Sequence, residues 1–200
     1  MPSNKNRAVG AMIWLLAVSA AGSALAHAGA DHGSGGFLSG FTHPLLGPDH
    51  VIAMVAVGLW GVFLGAPAIW VLPVVFPLVM ALGGAFGMIE VPIPGVEIGI
   101  ALSAVVLGLC VALALTPPLW VAAIIVGGFA ICHGYAHGAE MPAASDAVSY
   151  ALGFVIATGL LHLCGIAFGS LARWPAGKLA VRAAGVLIAV AGGAYLSGVV

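Results

Sequence analysis

Six apolar stretches follow one another between residues 44 and 199. Each is long enough to cross a hydrocarbon core as a helix of about 20 residues. The spans run over about 44–65, 68–89, 97–115, 118–138, 147–171 and 179–199. Helix breakers part them. Gly65 and Pro67 divide the first two, and Glu90 to Glu97 with two prolines follows the second. Thr116-Pro-Pro118, Met141 to Asp146 and Arg173 to Lys178 mark the remaining breaks. Proline ends a helix at such points and fits the first turn of the next. A backbone in lipid must satisfy its own polar groups, which leaves helices or closed barrels. Runs of this length select helices, and short loops make neighbours antiparallel. The expected fold is an all-α membrane protein with a compact six-transmembrane-helix bundle.

Of the 200 residues, 62% are hydrophobic and only 6% are charged. A soluble domain carries about a quarter charged residues, so the lipid bilayer is the expected surrounding. The formal net charge of −1 comes without a basic tract, which argues against a nucleic-acid partner. Lys5 and Arg7, the apolar run after them and Ala24-Leu-Ala26 form a signal peptide over 1–26, cleaved after Ala26. An uncleaved signal anchor is the alternative. Residues 27–42 then form a flexible, histidine-containing periplasmic leader, and 43–200 the transmembrane domain. Arg173, Lys178 and Arg182 surround the last loop, and lysine and arginine mark the cytoplasmic side. A multi-pass protein of a bacterial inner membrane is expected, with the mature N-terminus and the C-terminus periplasmic. The oligomeric state stays open, a homo-oligomer included.

Small-residue spacings such as Gly83-xxx-Gly87 and the pair Gly192-Gly193 suit close helix contacts. Cys110, Cys132 and Cys164 lie within apolar runs. Odd in number, they offer no disulfide framework and read first as small packing residues.

Two short polar clusters interrupt the hydrocarbon: His43-Pro-Leu-Leu-Gly-Pro-Asp49-His50 and His133-Gly-Tyr-Ala-His137-Gly-Ala-Glu140. Ionisable groups at membrane depth are costly and mark function, and imidazole with carboxylate is a ligand set for divalent transition metals. The topology puts both clusters at the outer face, although some ninety residues separate them in sequence. His133, His137 and Glu140 are spaced i, i+4, i+7, one stripe of a helix, with His133 about 10 Å deeper than Glu140. Pro44, Gly47 and Pro48 interrupt the first cluster, so His43, Asp49 and His50 are expected on a bent segment. Two carboxylates balance a divalent charge. The expected metal ligands are therefore His43, Asp49, His50, His133, His137 and Glu140, with Glu140 at the start of a solvated loop.

Three further histidines are secondary. His162, near the middle of the fifth span, reads equally as a deeper way-station and as a core histidine bonded to a backbone carbonyl. His27 and His32 either capture metal at the mouth or are incidental to the leader.

At these residues the chain resembles the HupE/UreJ family of membrane nickel and cobalt permeases. The family pattern H-x5-D-H matches His43 through His50, and F-H-G-x-A-H-G-x-E matches His133 through Glu140. Cys132 stands where that pattern has an aromatic residue, a change compatible with a softer ion. The resemblance implies import of Ni²⁺, or Co²⁺, for hydrogenase or urease. The ion is cargo, and no permanently bound cofactor is expected.

Two other function classes remain open from the residues. A membrane metalloenzyme would use the same histidines. No H-E-x-x-H occurs, however, and Ser39 and Ser103 have no base partner by spacing. A metal-binding accessory protein would bind without transport, but the short loops leave little surface for aqueous partners. No phosphate-binding G-x-x-x-x-G-K-[ST] loop is present, so a permease of this kind is secondary in type.

Overall fold

The computed structural model describes residues 36–141 and 146–198. The proposed signal peptide and the leader residues His27 and His32 lie outside the described residues. Within them the chain forms seven α-helices and no strand: α1 (Phe37–Leu46), α2 (Pro48–Leu64), α3 (Ala68–Met88), α4 (Val96–Ala112), α5 (Leu119–Ala139), α6 (Ala147–Gly169) and α7 (Pro175–Ser197). A 3-10 turn, Ser170–Arg173, joins the last two.

Helices α3, α5, α6 and α7 are each long and apolar enough to cross a membrane. The first expected span is broken. Helices α1 and α2 meet at an 83° bend at Gly47, which is extended with φ −87° and ψ 106°. Pro48 cannot donate the hydrogen bond that would carry α1 onward, and it starts α2 instead. The pair counts as one more crossing or as a re-entrant segment. Helix α4 is apolar but has only 17 residues, because Gly95 precedes it in the left-handed region and Ala114 (φ 51°) ends it. Helix α1 also begins inside the stretch expected to be a flexible leader. Its apolar Phe37 and Phe41 stack on one another, and the helix packs on α6, which the leader's glycine-rich composition concealed.

Helix α2 is the centre of the bundle. Ala53, Met54 and every residue from Ala56 to Gly61 are buried, and all six other helices touch it. The outer helices turn large apolar side chains outward instead, among them Leu78, Ile124, Leu179 and Val190. In water such a surface would aggregate; in lipid it is solvated. Exposed Trp70, Trp120 and Trp174 mark the starts of α3, α5 and α7. The Arg173 guanidinium lies 4.0 Å from the centre of the Trp174 ring. Aromatic and basic residues of this kind favour a membrane–water boundary.

Close glycine contacts fix how the helices pair. A Cβ on Gly83 or Gly87 of α3 would strike backbone oxygens of Ile131 or Tyr135 on α5. One on Gly134 or Gly138 of α5 would strike those of Met80 or Gly84 on α3. The matching order of these contacts shows that α3 and α5 run parallel. Gly58 of α2 and Gly165 of α6 approach each other in the same way. Of the expected packing glycines, Gly192 meets Val105 of α4, whereas Gly193 faces open space.

Candidate metal site

The bend at Gly47 turns His43, near the end of α1, and His50, in the first turn of α2, toward the last two turns of α5. His50 is 4% exposed, His133 is fully buried and His137 is 7% exposed. Nε2 of His50 lies 2.9 Å from Nδ1 of His133 and also contacts Nε2 of His137. On the other side of His137, the His43 ring packs edge-on with centroids 4.7 Å apart. His43, His137 and Glu140 each offer one ligand atom, all within 4.8 Å of one another. Metal–imidazole bonds of about 2 Å need only a modest inward shift from this spacing. His137 is thus common to both groups, and it joins side chains that lie far apart in the chain.

The hydrogen bonds around the cluster assign protons. The Ser103 hydroxyl of α4 donates to the carbonyl of Ile100 at 2.6 Å, since a carbonyl can only accept. Its lone pair faces Nε2 of His133 at 2.8 Å, so that nitrogen carries the proton and donates. His133 Nδ1 is then a free lone pair directed at His50. A buried partner that fixes the tautomer of a ligating histidine is a recurring part of metal sites. Ser103 was not expected here, because no spacing rule links α4 to α5. Its hydroxyl proton is committed to Ile100, so His133 is not arranged to act as its base.

Asp49 takes a comparable outer position. Its Oδ2 lies 3.4 Å from Nδ1 of His50, on the ring edge away from the nitrogen that meets His133 and His137. Glu140 caps the end of α5, with Oε2 3.6 Å from Nε2 of His43. The neighbouring His43 ring holds the Glu140 carboxyl below the usual range, against the opposing effect of partial burial. Phe154 and Tyr150 of α6 line the near side, with Phe154 4.4 Å from the His137 ring centre and Tyr150 6.1 Å from that of His43.

Cys132 stands apart from this group. Its thiol occupies the space that a Cβ on Gly99 of α4 would need, which is a packing contact. His162 is fully buried on α6 and is linked to the cluster through Phe76, whose ring centre is 5.8 Å from His133 and 5.5 Å from His162. His27 and His32 are outside the described residues.

These features define a multi-helix membrane protein with a buried histidine cluster, flanked by carboxylates, at one end of an apolar bundle. The HupE / UreJ protein family model matches residues 15–195, and the chain belongs to that family. A relative named Protein HupE, from Rhizobium leguminosarum bv. viciae, is 45% identical over 174 residues, covering 87% of this chain and 91% of its own. No solved structure matches the chain.

Proposed function

We propose that this protein is a bacterial inner-membrane permease that imports a divalent transition metal, Ni²⁺ or Co²⁺, and so supplies hydrogenase or urease. The observation that carries this reading is the convergence of His43, His50, His133, His137 and Glu140 from three separate segments. Six crossings are proposed, with the α1–α2 pair and α4 as the first and third. The histidine end faces the periplasm, while Arg173 and Lys178 lie on the cytoplasmic side. The leader histidines, His27 and His32, sit upstream of the mouth.

A hydrated cation is drawn in by Glu140 and exchanges water for the imidazoles of His43 and His137. It passes next to His50 and His133, whose lone pairs are already turned inward by Asp49 and Ser103. Affinity stays moderate, since a site that holds its ion too firmly cannot conduct it. The ion gradient, a coupled ion or a partner supplies the energy.

The alternative of a membrane metalloenzyme draws on the Ser103–His133 contact, the one Ser–His pair in the cluster. The direction of its hydrogen bond weighs against a nucleophile. The test is flux of nickel or cobalt into proteoliposomes without any further substrate. Wild-type protein accumulates metal, and His137→Ala, which removes the residue common to both groups, abolishes accumulation while still inserting. Normal accumulation by that variant would overturn the permease reading.

A further inference from the structure

One face of α6 carries Tyr150, Phe154, Thr158 and His162, spaced by four residues and all buried. Its start touches the histidine cluster through Tyr150 and Phe154. Its far end lies about 18 Å further along the helix axis, past the middle of a core about 30 Å thick. Along this face the polar atoms are orphaned. The Tyr150 hydroxyl, the Thr158 hydroxyl and both ring nitrogens of His162 have no hydrogen-bond partner among the described residues.

Thr158 and His162 are both fully buried. A buried polar group without a partner is destabilising, and native proteins tolerate few of them. An imidazole serving only to fill space would be replaced at a gain by leucine. Alternatively, it would bond a carbonyl, the arrangement that the core reading of His162 requires. The structure shows neither. The closely packed Gly58 and Gly165 bring α2 against α6 here, and Phe76 links the His162 ring to that of His133. Phe76 lies between Pro73 and Pro77 of α3, each of which removes one helical hydrogen bond. The stretch of α3 around that ring therefore lacks two helical hydrogen bonds.

We propose that Thr158 and His162 form an inner cation station, one turn apart on α6, reached from the outer histidine cluster past the Phe76 ring. It takes the same divalent transition metal. One imidazole and one hydroxyl make a weaker site than the outer cluster, which suits an ion that must be passed on toward the cytoplasmic side. This station rests on the permease reading.

The test uses Co²⁺ on the full-length protein, with two measurements on each variant. Binding is followed in detergent by the visible absorption of the metal, and influx by a chelating dye inside proteoliposomes. For His162→Leu we expect outer-site binding within about twofold of wild type and thermal stability equal or higher, because an orphaned polar group is gone. Influx falls by about tenfold or more. Wild-type influx in this variant would overturn the station. Should His162→Leu fail to insert, Thr158→Val, which keeps the shape of the side chain, decides. Influx reduced by about threefold or more supports the station, and wild-type influx overturns it. Failure of the permease reading has a different signature: wild-type protein that binds Co²⁺ but shows no influx, which removes the station as well.

Discussion

At the scale of single residues, the cluster is organised by which nitrogen of each imidazole holds a proton. Ser103 sets that choice for His133, and Asp49 is placed to set it for His50. Replacing Ser103 with alanine leaves His133 free to present either nitrogen. The expected result is a loss of about 10–100-fold in metal affinity with the helices intact, measured by Co²⁺ titration and circular dichroism. An affinity equal to wild type would show that Ser103 only fills space. Acid acts on the same atoms. Metal binds neutral imidazole, so capture weakens over the acid range in which the ligating nitrogens take up protons. Glu140 is held below the usual carboxylate range by His43. Its depressed value means that the stability it contributes is lost only at still lower pH, as the carboxyl protonates. Uptake measured across this range should fall while the protein stays folded, and simultaneous loss of fold would contradict the assignment. The six proposed ligands were legible as residue types at telling spacings. Ser103 was not, because a contact between separate helices leaves no periodic trace in the chain.

At the scale of helices, the glycines that follow His133 and His137 in the second cluster have a structural task. Gly134 and Gly138 let α5 lie directly on the backbone of α3, and that contact sets the rotation of α5 and hence where its histidines point. Gly138→Ala forces the helices apart, at a cost of about 1–3 kcal/mol, and should weaken metal binding although no ligand has changed. Gly193→Ala, where nothing lies within contact distance, serves as the control and should be silent in both thermal melting and binding. The bend between α1 and α2 was readable from Pro44, Gly47 and Pro48. The helical start at Phe37 was not, since glycine-rich sequence masks a short helix that depends on packing against α6. The start of α6 depends on Asp146, which accepts from the Val148 N–H at 3.1 Å and from the Ser149 hydroxyl at 2.6 Å. These bonds lower its carboxyl value, the Ser149 hydroxyl first. The cap is therefore present above the ordinary aspartate range and is lost as pH falls through the lowered value.

Across the whole molecule, one end gathers histidines and carboxylates and the other gathers cations and tryptophans. Arg182 donates to the Ala112 carbonyl at 2.6 Å, and the Trp60 indole donates to that of Leu115 at 2.8 Å. The first satisfies the last carbonyl of α4, where a positive side chain also complements the helix dipole, and the second satisfies a carbonyl just beyond that helix. Arg182→Leu leaves that carbonyl without its charged partner and should lower the melting temperature more than Lys178→Leu, for which no such bond exists among the described residues. Equal effects would count against this role for Arg182. The apolar runs announced a helical bundle, and the alternation of loops announced which ends share a side. Pairing was beyond the sequence, because small residues occur in almost every helix and only the three-dimensional contacts select partners.

Histidines far apart along the chain are proposed to hold one cation together. X-ray absorption of the nickel-loaded protein measures this directly, through the number of imidazoles around the metal. One nickel at the outer histidine cluster is expected, with imidazole ligands lost both in His50→Ala and in His137→Ala. Two separate nickel ions within that cluster, each disturbed by only one of these substitutions, would show that the histidines do not share an ion.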